Sequence, residues 1–125
     1  MPGLFGGVGC DPSLYAILQS EFAAPWGISI EFYANASIDD LAAKARAHQP
    51  RLIWVETPAN PTWELTDIAA ASAIASEVGA IVAVDSTAAT PLLTRPLELG
   101  ANLVMHSATK YLNGHADVIA GALAC

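Results

Sequence analysis

The sequence predicts an α/β protein built on a largely parallel sheet, and three observations carry that reading. Apolar runs of strand length, at Leu52 to Val55, Ala80 to Val84 and Asn102 to Met105, are separated by helical patterns. Past Asn102 the runs are apolar throughout, as strands buried within a sheet are. Each run also ends in polar residues, at Glu56, Asp85 and His106-Ser107, and open α/β sheets bind their ligands beyond the carboxyl ends of the strands.

The elements follow in order. Gly3, Gly6, Gly7 and Gly9 open the chain; no strand is expected ahead of them, and this stretch reads as flexible. A phosphate-binding loop is disfavoured there, because Asp11-Pro12 places a negative charge and a missing N–H where donors are needed. Asp11-Pro12 instead has the form of a helix start, with the helix running to about Ala23. Gly27 to Tyr33 is a short strand. Ser37 with Asp40 three residues on resembles a capping box and starts a helix to His48. After Leu52 to Val55, Pro58, Asn60 and Pro61 impose a loop. Asp67 to Val78 is an alanine-rich helix stopped by Gly79. Arg95 to Leu99 forms a helical turn closed by Gly100, and Val118 to Ala124 is a final strand, in part unpaired.

The chain has 125 residues, enough for one core. It is 54% hydrophobic and 14% charged, too apolar for disorder, and the surplus suggests faces meant to be covered. A net charge of −7 argues against a nucleic-acid partner. No unbroken apolar stretch approaches a membrane span and no signal peptide is visible, so a cytoplasmic protein is expected. Cys10 and Cys125 are then expected as reduced thiols.

The chemistry concentrates in His106-Ser107-Ala108-Thr109-Lys110-Tyr111. A lysine just past an apolar strand is expected in a dry niche, and a desolvated lysine can form a Schiff base with an aldehyde. Ser107 and Thr109 are short hydroxyl donors suited to a phosphate. Asp85 is an acid suited to a protonated pyridine nitrogen. Those are the contacts pyridoxal phosphate (PLP) requires. Taken alone, each has a plainer use: a solvated lysine, an Asp capping the Ser86-Thr87 turn, a Ser/Thr turn. Glu56 reads as structural, bonding the backbone of the loop after it. His106, His115 and Asp117 match no zinc spacing, so no metal is expected.

Three motifs in order add a resemblance. They are Glu56-Thr57-Pro58-Ala59-Asn60-Pro61-Thr62, Val84-Asp85-Ser86-Thr87 through Ala101, and His106 through His115. Together they resemble the Cys/Met-metabolism family of PLP enzymes, the transsulfuration enzymes, over residues 27 to 125 and weakly before that. The resemblance implies a three-layer large domain of the aspartate aminotransferase fold type I. Residues 1–125 would be a partial PLP-binding domain, with an N-terminal arm and a C-terminal domain outside it. It implies Lys110 as the catalytic Schiff-base lysine and Asp85 as partner of the ring nitrogen. Thr87 would lie near the ring, Asn60 near its hydroxyl, and Ser107 and Thr109 on the phosphate, joined by backbone N–H groups.

The family's ring-stacking tyrosine has no clear counterpart: Tyr15 aligns with a second aromatic, and Phe5 is a substitute in another register. Its Gly-Met phosphate turn is absent, Ser86 stands where many relatives have Asn, Ala59 where many have Ser, and Ala116 where Ser is usual. The implied activity is cystathionine γ-synthase-like replacement or elimination on homoserine- or cysteine-derived amino acids, with a C–S lyase as alternative. The family forms dimers and tetramers, and takes its substrate-carboxylate arginine from the C-terminal domain. Two other classes stay open: a non-catalytic truncated remnant and a doubly wound nucleotide-binding module.

Overall fold

The structure is a computed structural model that describes residues 2–6 and 18–125. Six strands form one sheet: β1 (Pro2–Gly6), β2 (Ser29–Tyr33), β3 (Leu52–Glu56), β4 (Ile81–Asp85), β5 (Leu103–His106) and β6 (Ala122–Ala124), in the order β2-β1-β3-β4-β5-β6. The first five run parallel and β6 is antiparallel to β5. The α/β class and the mostly parallel sheet thus stand as expected.

Strand β1 corrects the reading of the glycine-rich start as flexible at Gly3 and Gly6; Gly7 and Gly9 lie outside the described residues. Pro2, Gly3 and Gly6 have little strand propensity, but Pro2–Gly6 lies inside the sheet, paired with β2 along its length and with β3 through Leu4 and Phe5. Non-local pairing, which local propensity does not encode, makes this a strand. The helix expected from Asp11-Pro12 lies mostly outside the described residues; Leu18–Ala23 forms one wide helical turn, followed by a tight one at Ala24–Trp26.

Helix α1 (Ile38–His48) begins where Ser37 accepts the Asp40 N–H on its hydroxyl at 3.3 Å. Helix α2 (Ile68–Val78) begins where the Asp67 carboxylate accepts the Ala70 N–H at 3.0 Å, and it stops at Gly79 with φ 73°. The Ser37 cap matches expectation, but the Asp40 carboxylate accepts the Ala34 N–H at 2.7 Å and so leaves the capping box half formed; Asp67, expected as the first helical residue, is the cap ahead of it. Arg46 on α1 forks onto Glu77 on α2, with Nε–Oε1 at 2.8 Å and Nη2–Oε2 at 2.9 Å. A short helix α3 (Thr90–Leu93), not expected, follows β4, and a tight turn at Pro96–Leu99 leads to β5.

Strand alternation divides the sheet. Ile53, Val55, Val82 and Val84 point to one face and are buried against Leu41 and Ala45 of α1 and Ile68, Ala71, Ile74 and Ala75 of α2. Glu56 and Asp85, one position further along, point to the opposite face. Among the described residues several large apolar side chains stay exposed, including Leu92, Leu93 and Ile119. Within the described residues, no helix is long and apolar enough to cross a membrane.

Gly100 closes the turn into β5 at φ 94°, and a Cβ there would stand 3.1 Å from Cβ of Ser72 on α2. Left-handed backbone and close approach both demand glycine. Gly100→Ala is therefore expected to cost more than about 1 kcal/mol in urea unfolding; an unchanged midpoint would show the turn relaxes freely.

Candidate active site

The parallel register sets Glu56 directly beside Asp85, and Asp85 beside Met105, so the exits of β3, β4 and β5 stand in line. Their loops enclose an open cleft of about 610 Å³. Its lining includes Glu56, Asn60, Asp85, Thr87, Ser107, Thr109 and Lys110, so every residue expected in the site from the sequence meets here. Trp63, Tyr111 and His115 also line it, with no role foreseen for them in the sequence. Trp63 is 61% exposed and holds a left-handed backbone at φ 59°.

Thr87 is the joint of the site. Its N–H and O–H both donate to Oδ1 of Asp85, at 2.9 and 2.6 Å, and its oxygen accepts the Ser107 N–H at 2.7 Å. One hydroxyl therefore orients the acid and ties the exit of β5 to that of β4. The other carboxylate oxygen, Oδ2, has no partner among the described residues and can accept a donor from the cleft. The loop reading of Glu56 holds: its Oε1 accepts the Asn60 N–H at 3.3 Å. Burial raises the Glu56 carboxyl above its ordinary range; that hydrogen bond opposes the rise in part, and the charge of Asp85 adds to it.

Three expectations need correction. Lys110 is exposed rather than held in a dry niche, because it sits on a turn beyond β5 in the lining of an open cleft. Its amine has no salt bridge among the described residues. The hydroxyl of Thr109 is engaged: it donates to the Ala120 carbonyl at 3.2 Å and accepts the Ala120 N–H at 2.9 Å. An anion could take its hydrogen only in competition with that carbonyl. Backbone donors are also used internally: Ser107 N–H goes to Thr87, Thr109 N–H to Ala120 and Lys110 N–H to Ser107. The Ser107 hydroxyl remains an uncommitted donor among the described residues.

Tyr15 lies outside the described residues, and Phe5 is described only through its backbone in β1. His106 is buried at the end of β5, while Asp117 accepts from the Asn113 amide at 2.8 Å. Among the described residues no three His, Cys, Asp or Glu side chains come together. Cys125 is an exposed free thiol.

The donor set fits PLP in its three main contacts. Lys110 offers an amine to an aldehyde, Asp85 an orientated carboxylate oxygen to a ring N–H, and Ser107 a hydroxyl to a phosphate. Thr109 fits only after its hydroxyl turns from Ala120.

Comparison with known proteins agrees. The chain is 44% identical over 107 residues to the chloroplastic cystathionine beta-lyase of Arabidopsis thaliana, covering 86% of the chain and 23% of that protein. It is 56% identical over 89 residues to the L-methionine gamma-lyase of Pseudomonas putida, covering 70% of the chain and 22% of the relative. The chain thus spans less than a quarter of the length of these relatives. The crystal structure of cystathionine gamma synthase from Xanthomonas oryzae pv. oryzae, in complex with aminoacrylate and cysteine, superposes with a TM-score of 0.83 at 35% identity, over 98% of this chain and 31% of that one. The sequence model of one family matches residues 13–125, and with it the chain belongs to the Cys/Met metabolism PLP-dependent enzymes.

Proposed function

We propose that this chain supplies the cofactor-holding wall of a transsulfuration enzyme, one that acts on homoserine- or cysteine-derived amino acids. Cystathionine γ-synthase-like replacement is the form we favour, supported by the fit to the Xanthomonas oryzae synthase along nearly the whole chain. Cystathionine or methionine C–S lysis is the second reading, favoured by the lyases among the relatives. One observation carries the proposal: the uncommitted amine of Lys110 shares a cleft with a carboxylate whose one oxygen is pinned by Thr87.

When bound, PLP supplies an electron sink for the pair left as a substrate Cα loses its proton. The chain's own residues do the rest. Asp85 holds a proton on the ring nitrogen, Thr87 keeps that acid aimed, and Ser107 binds the phosphate. Lys110 would hold the aldehyde carbon covalently, be released when the substrate's amine takes its place there, and with its freed amine take and return the Cα proton. Asn60 would stand by the ring hydroxyl, on a loop fixed by Glu56.

The test rests on a built-in control. The chain has two lysines, Lys44 and Lys110. Lys44 is occupied by Asp40 at 3.2 Å and by the Phe32 carbonyl. Borohydride reduction after incubation with PLP is expected to place the label on Lys110, read by peptide mass mapping. Label on Lys44, or none, would defeat the proposal.

A further inference from the structure

Glu56 is the charged cleft residue to which the proposed chemistry gives no direct part. Its placement is not incidental. The in-register pairing of β3 with β4 sets its side chain on the same face as that of Asp85, one strand spacing away, roughly 5 Å. Both line the cleft, and among the described residues they are the two acids that do so.

We propose that Glu56 is a positioning residue of this site, which holds the Asn60 loop by its hydrogen bond and sets, through its charge, how firmly Asp85 keeps a proton on the ring nitrogen. The inference rests on the PLP reading above for its second half and on the geometry alone for its first.

Two mechanisms operate through one carboxyl. As an acceptor, Oε1 fixes the Asn60 N–H and with it the loop that carries Pro58, Ala59 and Trp63 along the cleft. As a charge, Glu56 has a like-charged neighbour on β4 and partial burial, both of which favour its protonated form. From the loop after β5, the titratable groups facing the same cleft are Lys110, Tyr111 and His115. An ionised Glu56 adds a second negative charge beside Asp85 and strengthens the hold on a cationic ring; a neutral one weakens it. The ring proton should therefore follow the state of Glu56, although Glu56 need not touch the ring.

Two variants separate the mechanisms. Glu56→Gln keeps an oxygen acceptor for Asn60 and removes the charge, whereas Glu56→Ala removes both. In the cofactor-free chain, Asn60 amide exchange should stay slow in Glu56→Gln and accelerate at least tenfold in Glu56→Ala. In the same chain, carbon-detected NMR should show the Glu56 titration midpoint falling in Asp85→Asn, because a like charge is gone. In the chain loaded with PLP carrying a nitrogen-15 label in its ring, Glu56→Gln should move the pH midpoint of the ring-nitrogen NMR shift down, with the borohydride label still on Lys110.

A Glu56 midpoint indifferent to Asp85→Asn, or a ring-nitrogen titration of Glu56→Gln that overlays the unsubstituted chain, would overturn the proposal. So would Asn60 exchange equal in all three chains. Should the unsubstituted chain show no band with PLP, the cofactor reading fails, and the two cofactor-free measurements still decide the role of Glu56.

Discussion

Lys110→Ala is expected to abolish the visible absorption band and the borohydride-stable label, while Lys44→Ala leaves both intact. The asymmetry follows from how the two amines are placed. Lys44 is bound between Asp40 and the backbone of β2, and Lys110 faces the cleft. With the covalent anchor gone, what remains is two charge-assisted hydrogen bonds, one from the ring N–H to Asp85 and one from Ser107 to the phosphate, about 2 kcal/mol each. Together these support dissociation constants no tighter than roughly millimolar. Lys110 is exposed, so its removal should leave the urea unfolding midpoint within error of the unsubstituted chain. Binding measured by the visible band and by equilibrium dialysis checks both halves. A band that survives in Lys110→Ala would place the anchor elsewhere.

The largest expected effect on stability comes from Ile53→Ala. Ile53 is fully buried on β3, with β1 on one side and β4 on the other, under the two helices. Truncating it removes three carbons and leaves a hole that rigid strands cannot collapse to fill, at a cost of about 3 to 4 kcal/mol. Against the 5 to 15 kcal/mol typical of whole domains, at order of magnitude, that is a large share. Ile119→Ala is the matched control: the side chain is 97% exposed and should cost less than about 0.5 kcal/mol. Urea unfolding followed by circular dichroism separates the two. A loss under about 1 kcal/mol for Ile53 would mean that the helices do not cover β3.

Much of this molecule is written locally. Ser37, Asp67, Gly79 and Gly100 mark their boundaries by short-range chemistry, the bonding of a side-chain oxygen or the lack of a Cβ, and the structure keeps all four. The apolar runs behind β3, β4 and β5 were visible because their composition is uniform. The gathering of Glu56, Asp85 and Ser107 followed from parallel strands ending together. What was not legible depends on partners distant in sequence. Pro2–Gly6 is a strand because β2 and β3 flank it, and nothing in its own five residues says so. The Thr109 hydroxyl is engaged by Ala120, eleven positions on, through a loop without periodic signal. The exposure of Lys110 depends on which way a turn faces once β5 has joined the sheet. Thr87 was read as a neighbour of the ring; its grip on Asp85 and Ser107 required strands β4 and β5 to be side by side.

The alignment of Glu56 with Asp85 has a consequence for which changes in chain length this fold can absorb. Side chains on a strand alternate, so inserting or deleting one residue within β3 or β4 would turn an acid toward the helices and an aliphatic group into the cleft. Such a lesion would silence the site and bury a charge at once. The same single-residue change between Pro61 and Leu65, where the chain is exposed, would displace neither acid. Tolerance to indels should therefore be sharply stepped along this stretch, near zero within β3 and permissive a few residues after Glu56, a contrast that a scanning library of one-codon deletions would display directly.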